Sequence, residues 1–249
     1  MQVALITVGD ELLSGDTTNT NAQWLATELS SRGVVVPRIL SLPDNRAVIA
    51  EHVADYAASF DAVIVTGGIG GTPDDVTMEA VADAFDCELT ATDLTREAVE
   101  QHLAAIRERV PDREFDVDTD AEAAVPANSR ALLNDAGLTP GCEIHGVYVM
   151  PGIPDELKAM FRSVADEFEG NRQAKYLYTV EPEANIVPAL TKAMERFDVA
   201  VGCYPDREAD HNRLKVTATD DETLDAAVEW LLAAVDASET PVSRGWGEE

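Results

Sequence analysis

The sequence is poor in basic residues: 18 lysine and arginine residues stand against 47 aspartate and glutamate residues, so the formal net charge is −29 over 249 residues. Such acidity would repel the phosphate backbone of a nucleic acid, and we expect no nucleic-acid partner. The chain is nevertheless 45% hydrophobic, which favours a folded protein over a disordered one. The charge indicates a halophilic protein of a salt-rich cytoplasm; the alternative is an acidic protein of an ordinary cytoplasm.

Cysteine and long apolar runs are also scarce. Cys87, Cys142 and Cys203 lie far apart and are odd in number, so they match neither a disulfide framework nor a zinc pattern. The four histidines show no spacing typical of metal ligands. No basic leader precedes the first apolar run, and no apolar stretch approaches the length needed to cross a membrane. We therefore expect a soluble cytoplasmic protein with no membrane partner.

Apolar runs and helical patterns alternate along the first part of the chain. The predicted strands are 2–8, 34–42, 62–66 and 146–150. The predicted helices lie around 22–29, 48–57, 78–85, 95–110 and 157–168. This alternation predicts a parallel sheet with crossover helices, and a long acidic stretch at 112–120 is expected to be irregular.

A change of composition at 169–171 predicts a domain boundary, so we assign residues 1–170 to the first domain. The following residues show a strand–helix–strand–strand–helix pattern at 175–180, 186–197, 199–204, 213–218 and 224–235. We read residues 171–237 as a small α+β domain and residues 238–249 as a frayed tail.

Three polar loops follow predicted strands at 9–21, 43–45 and 67–75, and ligands bind at the carboxyl ends of strands in parallel sheets. The third loop, TGGIGGTPDD, has four glycines, Gly67, Gly68, Gly70 and Gly71. A simple turn needs one or two, so this number indicates that a ligand approaches the backbone. The alternative is structural: Thr72 would cap a helix, Pro73 would begin it, and Asp75 would complete a capping box.

Asp74 and Asp75 stand where a glycine loop and a helix end would attract a phosphate. A divalent cation between carboxylate and phosphate would remove this conflict, because Mg²⁺ favours one or two carboxylates, substrate oxygens and water. Asp44, at the end of a neighbouring strand, is then a second metal ligand or a base. We accordingly predict Asp44, Asp74 and Asp75 as metal ligands and Asp44 and Asp75 as catalytic residues.

Two further segments are candidates for the pocket wall. The first loop carries short polar groups and Gly9, but it is also consistent with a capping loop in which Asn19 or Asn21 begins the helix. The segment 151–154, with sequence PGIP, is either a fourth wall or an ordinary turn that begins a helix.

Together these motifs resemble a known family. The segments GDELLSGDTTNTNAQWLA, PDN, TGGIGGTPDDVTMEAVA, PANSRALLNDAGLTPG and YVMPGIPDELKAMF occur in the order seen in the competence/damage-inducible protein A (CinA) family. Residues 1–168 resemble its molybdopterin-binding, MoCF-like domain, and residues 174–236 resemble the small domain that follows. The resemblance implies a three-layer α/β/α domain with a mostly parallel sheet, followed by a small α+β domain.

The resemblance also implies a pocket for a pterin such as molybdopterin or for a nucleotide diphosphate, a divalent metal (Mg, Mn or Co) and homo-oligomers. Asp44 and Asp75 match acidic positions tied to metal and chemistry in relatives that adenylylate molybdopterin. By matching motifs, the implied pocket residues are Asp10, Glu11, Ser14, Asn19, Asn21, Asp44, Gly67, Gly68, Gly70, Thr72, Asp74, Asp75, Asn134, Pro151, Gly152, Ile153 and Pro154.

Three functions stay open at this point: metal-dependent hydrolysis of a nucleotide pyrophosphate such as ADP-ribose or a dinucleotide, binding of molybdopterin without catalysis, and adenylyl transfer to molybdopterin. The sequence departs from the family at Gly71, where relatives commonly have proline. It also lacks a segment resembling the C-terminal amidase domain, so we do not expect deamidation of nicotinamide mononucleotide.

Overall fold

The computed structural model describes residues 1–112 and 116–242, which form two compact units, Met1–Gly170 and Asn171–Glu249. Residues 113–115 of the stretch predicted to be irregular lie outside the described residues, and so do residues 243–249 of the predicted tail.

A six-stranded sheet forms the centre of the first unit, in the order β2-β1-β3-β8-β7-β6. The strands of this unit are β1 (Val3–Val8), β2 (Ile39–Leu42), β3 (Ala62–Thr66), β4 (Leu89–Ala91), β5 (Ala124–Pro126), β6 (Arg130–Leu132), β7 (Gly141–Ile144) and β8 (Val147–Met150). β2, β1, β3 and β8 are parallel to their neighbours in this order, whereas β7 is antiparallel to β8 and β6. β4 and β5 form a separate antiparallel pair.

Helices cover both faces of this sheet. They are α1 (Asp10–Ser14), α2 (Thr20–Ser31), α3 (Arg46–Ser59), α4 (Thr77–Ala84), α5 (Asp93–Arg109), α6 (Thr119–Glu122) and α7 (Pro154–Val164). Side chains of β1 alternate between the faces: Leu5 packs with buried residues of α2 and α7, and Ile6 packs with buried residues of α3 and α4. Two apolar cores therefore enclose the sheet in a three-layer α/β/α arrangement.

The second unit has a three-stranded antiparallel sheet in the order β10-β11-β9. Its elements are β9 (Gln173–Thr179), α8 (Glu183–Arg196), β10 (Ala200–Asp206), β11 (His211–Ala218) and α9 (Asp221–Ala234). Leu177, Leu214 and Val216 point to one face, where they pack in a single core with Leu190 of α8 and Leu231 of α9. The predicted fold class, an α/β domain with a mostly parallel sheet followed by a small α+β domain, is confirmed.

Several local predictions need correction. The strand predicted at 34–42 is only Ile39–Leu42, with an isolated bridge between Gln2 and Val35, because Pro37 has no N–H for the ladder. The loop at 9–21 contains the short helix α1 and the start of α2. β4 to β7, of three or four residues each, were not predicted. In the described residues no helix is long and apolar enough to cross a membrane.

The parallel register brings the strand ends to one edge of the sheet. Thr7 of β1 is level with Ser41 of β2 and with Thr66 of β3, and Thr66 is level with Met150 of β8. The chain continues this alignment beyond the strands, since the Gly67 N–H donates to the Met150 carbonyl at 3.1 Å. The loops after all four strands therefore meet at this edge.

Gly67 is required where β3 ends. Its φ is +99°, and a Cβ at this position would lie 2.3 Å from the carbonyl oxygen of Val8. Gly15, at the end of α1, also has a positive φ of +81°, but a Cβ there meets no atom within 4 Å. The two glycines therefore share a left-handed backbone and differ in steric contact.

We expect Gly67→Ala to lower the free energy of unfolding by about 2–4 kcal/mol, because it adds a steric clash to the cost of a left-handed backbone. Gly15→Ala is the matched control and should cost about 1 kcal/mol, the backbone term alone. Urea denaturation followed by circular dichroism measures both. Equal losses in the two variants would show that the contact with Val8 does not constrain this turn.

Candidate functional site

A cleft with about 410 Å³ of empty space, open solvent included, lies at the carboxyl edge of β1 and β3. Its walls come from β1, from the chain that leads into α2, from the end of β3 and from the start of α7. The lining residues are Thr7, Val8, Glu11, Leu12, Thr17, Thr18, Asn19, Thr20, Asn21, Thr66, Gly67, Gly152 and Pro154. Glu11, Asn19, Asn21, Gly67, Gly152 and Pro154 of this set were predicted from the sequence.

Asn19 joins α2 to the sheet. Its Oδ1 accepts a hydrogen bond from the Ala22 N–H at 3.1 Å, so Asn19 caps α2. Its Nδ2 donates to Thr7 Oγ1 at 2.9 Å. Because both ends of the amide are used, this side chain fixes the position of the α2 N-terminus at the cleft.

Asn21 joins α2 to the loop after β8. Its Nδ2 donates to the Gly152 carbonyl at 2.6 Å and lies 3.4 Å from Thr66 Oγ1. Thr66 Oγ1 in turn donates to the Pro151 carbonyl at 3.2 Å. The predicted segment 151–154 is therefore built into the cleft wall, and Pro154 is also the first residue of α7.

Two threonine residues of the sheet line the cleft and were not predicted from the sequence. Thr7 and Thr66 are 1% and 2% exposed, and both lie on the face of the sheet covered by α2 and α7. Ser41 continues the row, since its Oγ lies 2.8 Å from Thr7 Oγ1. The sequence does contain an indication of these residues, because a hydroxyl residue stands at or near the end of each of these otherwise apolar strands.

Carboxylates gather beside this cleft. The Asp10 N–H donates to Asp44 Oδ2 at 2.8 Å, and the Asp44 N–H lies 3.4 Å from Asp10 Oδ1, so the ends of β1 and β2 are bonded reciprocally. Partial burial raises the pKa of Asp44, and the negative charges of Asp10, Glu11 and Asp74 raise it further. The hydrogen bond from the Asp10 N–H opposes this rise in the pKa of Asp44.

The segment Thr72–Asp75 does not begin a helix, so the capping-box interpretation is wrong. α4 begins at Thr77, and Thr72–Asp75 form a turn in which the Asp75 N–H donates to the Thr72 carbonyl at 3.0 Å. Asp75 Oδ2 accepts the Thr72 N–H at 3.0 Å, and Thr72 Oγ1 lies 2.6 Å from both Asp74 Oδ1 and Asp75 Oδ2. The hydroxyl of Thr72 holds the pKa of Asp74 below its ordinary value.

Asp75 belongs to a second pocket, of about 340 Å³ of empty space, together with Gly68, Gly70, Glu79 and Glu122. Gly70 is close to Asp75, since a Cβ there would lie 2.7 Å from Asp75 Oδ2. The glycine loop thus contributes Gly67 to the cleft and later glycines to the second pocket. Of the two adjacent acids in this loop, Asp74 is the one whose negative charge contributes to the raised pKa of Asp44.

Several other predicted residues, among them Asn134, Ser14 and Gly71, lie outside the lining of the cleft. Asn134 is 6% exposed and is satisfied locally, because its Nδ2 donates to the Thr139 carbonyl at 3.1 Å and to Glu156 Oε2 at 2.8 Å. Ser14 Oγ donates to Asp16 Oδ2 at 2.7 Å. Gly71 lies beside Glu122, since a Cβ there would be 2.8 Å from Glu122 Oε2.

Within residues 1–112 and 116–242, no three His, Cys, Asp or Glu side chains are grouped so that they could hold a metal ion by themselves. Asp44, Asp74 and Asp75 therefore do not form a closed cation cage. The negative charges of Asp10, Glu11 and Asp74 each act on Asp44.

Comparison with known proteins identifies the family. Residues 4–169 match the family described as "Probable molybdopterin binding domain", and residues 172–241 match "FAD synthase, middle domain". A protein of Archaeoglobus fulgidus is 34% identical over 230 residues, which is 92% of this chain and 95% of that protein.

Two further relatives carry the CinA name. A CinA-like protein of Citrifermentans bemidjiense is 37% identical over 179 residues, which is 70% of this chain and 42% of that protein. The crystal structure of a CinA protein of unknown function from Thermoplasma acidophilum is similar with a TM-score of 0.57 and 27% identity, covering 68% of this chain and 99% of that one. The chain belongs to the molybdopterin-binding domain family, and it is similar to these two proteins with the CinA name.

Proposed function

We propose that the first unit binds a nucleotide pyrophosphate, such as ADP-ribose or a dinucleotide, together with a divalent cation, and hydrolyses the pyrophosphate. The observation that carries this proposal is the group of carboxylates beside the threonine- and asparagine-lined cleft: the Asp10 N–H donates to Asp44 Oδ2 at 2.8 Å, and partial burial together with neighbouring negative charges raises the pKa of Asp44. Uncompensated like charges at a strand edge are unfavourable, and a cation would relieve them.

The chemistry of the donors fits a hard cation such as Mg²⁺, Mn²⁺ or Co²⁺. Asp44 and Asp74 are the carboxylates we assign to it, with Asp10 beside them. Because the described residues supply no closed set of three ligands, the remaining positions would go to phosphate oxygens and water, the arrangement that Mg²⁺ favours. A bound cation would withdraw charge from the bridging phosphoryl group.

Different residues of the chain would then have separate roles. Gly67 lines the cleft at the end of β3, next to the N-terminus of α2, and the free N–H groups of that helix end would attract a diphosphate. Thr7, Thr66 and Asn19 line the part of the cleft that we assign to the organic portion of the ligand. Asp44, whose pKa is raised, is suited to accept a proton from an attacking water. Asp75 is held by Thr72 and stays a candidate ligand from the second pocket.

A second function is favoured by the family match over residues 4–169: binding of molybdopterin, with or without adenylyl transfer to it. Adenylyl transfer would use the same carboxylates and a cation. Simple binding would use the cleft alone and leave Asp44 without a chemical role. These two functions are separated by whether pyrophosphate is released from ATP in the presence of molybdopterin and by whether a divalent cation is needed.

We expect Asp44→Asn to stabilise the protein at neutral pH in the absence of divalent cations. The pKa of Asp44 is raised in the folded state, so the fold binds this proton more tightly than the unfolded chain does. The wild type therefore loses stability as pH rises from about 3.8 through the raised pKa, and the advantage of Asp44→Asn should vanish below that window. Melting temperatures recorded across pH measure this.

The same melting experiment with Mn²⁺ tests the cation. Wild type should melt a few degrees higher with the ion, whereas Asp44→Asn should show little or no rise. Asp55→Asn, at an exposed position on α3, is the control and should respond like wild type. A rise that is as large in Asp44→Asn as in wild type would place the cation elsewhere.

Catalysis is tested with ADP-ribose, FAD, NADH and ATP, each with Mg²⁺, Mn²⁺ or Co²⁺ in concentrated potassium chloride, by detection of AMP. We expect Asp44→Asn to lower turnover by about 100-fold or more, because it removes both a cation ligand and a base. Asp75→Asn should lower turnover less if Asp75 only closes the turn with Thr72. Release of pyrophosphate from ATP only when molybdopterin is present, with the AMP group retained on molybdopterin, would favour adenylyl transfer instead.

Full turnover in Asp44→Asn would refute the hydrolytic mechanism. Tight molybdopterin binding with release of neither AMP nor pyrophosphate would replace it with the binding function.

A further inference from the structure

The second unit has a sheet face that its two helices do not cover. In β11, Leu214 and Val216 are buried against α8 and α9, so Arg213 and Lys215 point to the opposite face. The register places Arg213 between Tyr178 and Tyr204, and Lys215 between Tyr176 and Gly202. We call this surface the tyrosine–cation face; its residues are Tyr176, Tyr178, Gly202, Tyr204, Arg213 and Lys215.

Aromatic rings hold Arg213 in place. The guanidinium carbon lies 5.6 Å from the centroid of the Tyr176 ring and 5.9 Å from that of Tyr204, so a ring lies near it on two strands. Tyr176 is 40% exposed and Tyr204 is 49% exposed. Two large aromatic side chains are thus kept at the surface around a cation whose freedom is already reduced.

Gly202 allows this arrangement. A Cβ at this position would lie 2.7 Å from Tyr204 Oη and 2.8 Å from a carbon of the same ring. The ring of Tyr204 therefore lies across the strand over Gly202, next to the position of Lys215, instead of extending into solvent. Because Gly202 has no side chain, the Tyr204 ring can lie beside the two cations on the same face of the sheet.

The charge of this face is opposite to that of the chain. Aspartate and glutamate outnumber lysine and arginine 47 to 18, yet the four cross-strand partners of Arg213 and Lys215 are tyrosines and a glycine. The nearest acid along β10 is Asp206, at the hairpin end, where its carboxylate accepts N–H groups of Glu208 and Ala209 and also interacts with the charge of Arg213. Three of the five tyrosines of the protein lie on this surface.

We propose that the tyrosine–cation face is a docking surface for an acidic, extended segment of a partner protein. Arg213 and Lys215 are two residues apart on one strand, a separation of ~7 Å, which matches carboxylates at alternate positions of an extended peptide. The tyrosine rings would cover the apolar parts of that segment. A nucleic acid could also contact rings and cations. The net charge of −29 opposes both occupants, but a short acidic segment carries fewer charges than a nucleic acid and therefore meets less long-range repulsion.

The test uses the full chain and a fluorescent peptide of alternating glutamate and threonine, with binding measured by anisotropy at low salt. The double variant Arg213→Gln/Lys215→Gln should weaken binding by about tenfold or more. The control Arg162→Gln/Lys192→Gln removes two exposed cations from helices and should change binding less than about twofold.

Tyr204→Ala separates the aromatic contribution from charge. It should weaken binding several-fold while circular dichroism stays unchanged, because the ring is half exposed. No binding of the acidic peptide to wild type, or equal binding to the Arg213/Lys215 variant, would overturn the proposal. Tighter binding of single-stranded oligouridine, lost in the same variant, would replace the peptide with a nucleic acid.

Discussion

The close approach of like charges at one edge of a parallel sheet is the constraint on which the first unit depends. The register of β1, β2 and β3 fixes where their loops begin, and the reciprocal bonds between Asp10 and Asp44 hold two acidic loops together. Raising the pKa of a carboxyl group costs free energy at neutral pH. A fold that retains this arrangement is suited to a counter-charge supplied from outside, which is the physical basis of the function we propose.

The rest of the cleft is built from neutral groups that are largely satisfied within the protein. The side-chain amide of Asn19 donates to the sheet, and that of Asn21 donates to the loop after β8. These two hydrogen bonds fix the shape of the cleft. The row of Ser41, Thr7 and Thr66 lines the same edge with hydroxyl groups, each of which can donate and accept. The protein's own hydrogen bonds thus fix the shape of the cleft, whereas the negative charge beside it is left for a ligand to balance. A binding site can use both features.

The second unit handles charge in a different way. Its open sheet face concentrates cations and aromatic rings in a chain that is otherwise rich in acids. Stacking against tyrosine orients a guanidinium without neutralising it, so the positive charge stays available at the surface. The match of residues 172–241 to the middle domain of FAD synthase gives this unit a family of its own, and the tyrosine–cation face gives it a distinct chemistry.

The sequence by itself determined the long elements and the broad chemistry. β1 and β3 are apolar except for Thr7 and Thr66, because both faces of the sheet are buried. The amphipathic periods of α2, α4, α7 and α9 give the positions of these helices closely. The order of the motifs along the chain indicated the family. Short strands such as β4 and β6 could not be predicted, because three residues leave no measurable period.

Only the tertiary structure decided which residues meet. Helical capping and a closed turn use the same residue types at 72–75, and the actual start of α4 at Thr77 distinguishes them. Adjacent acids look equivalent in sequence, yet Asp74 acts on Asp44 while Asp75 lines a second pocket. The exposed face around Arg213 depends on strand register and on a glycine in a neighbouring strand. Contacts between distant segments follow from packing, and no local pattern encodes them.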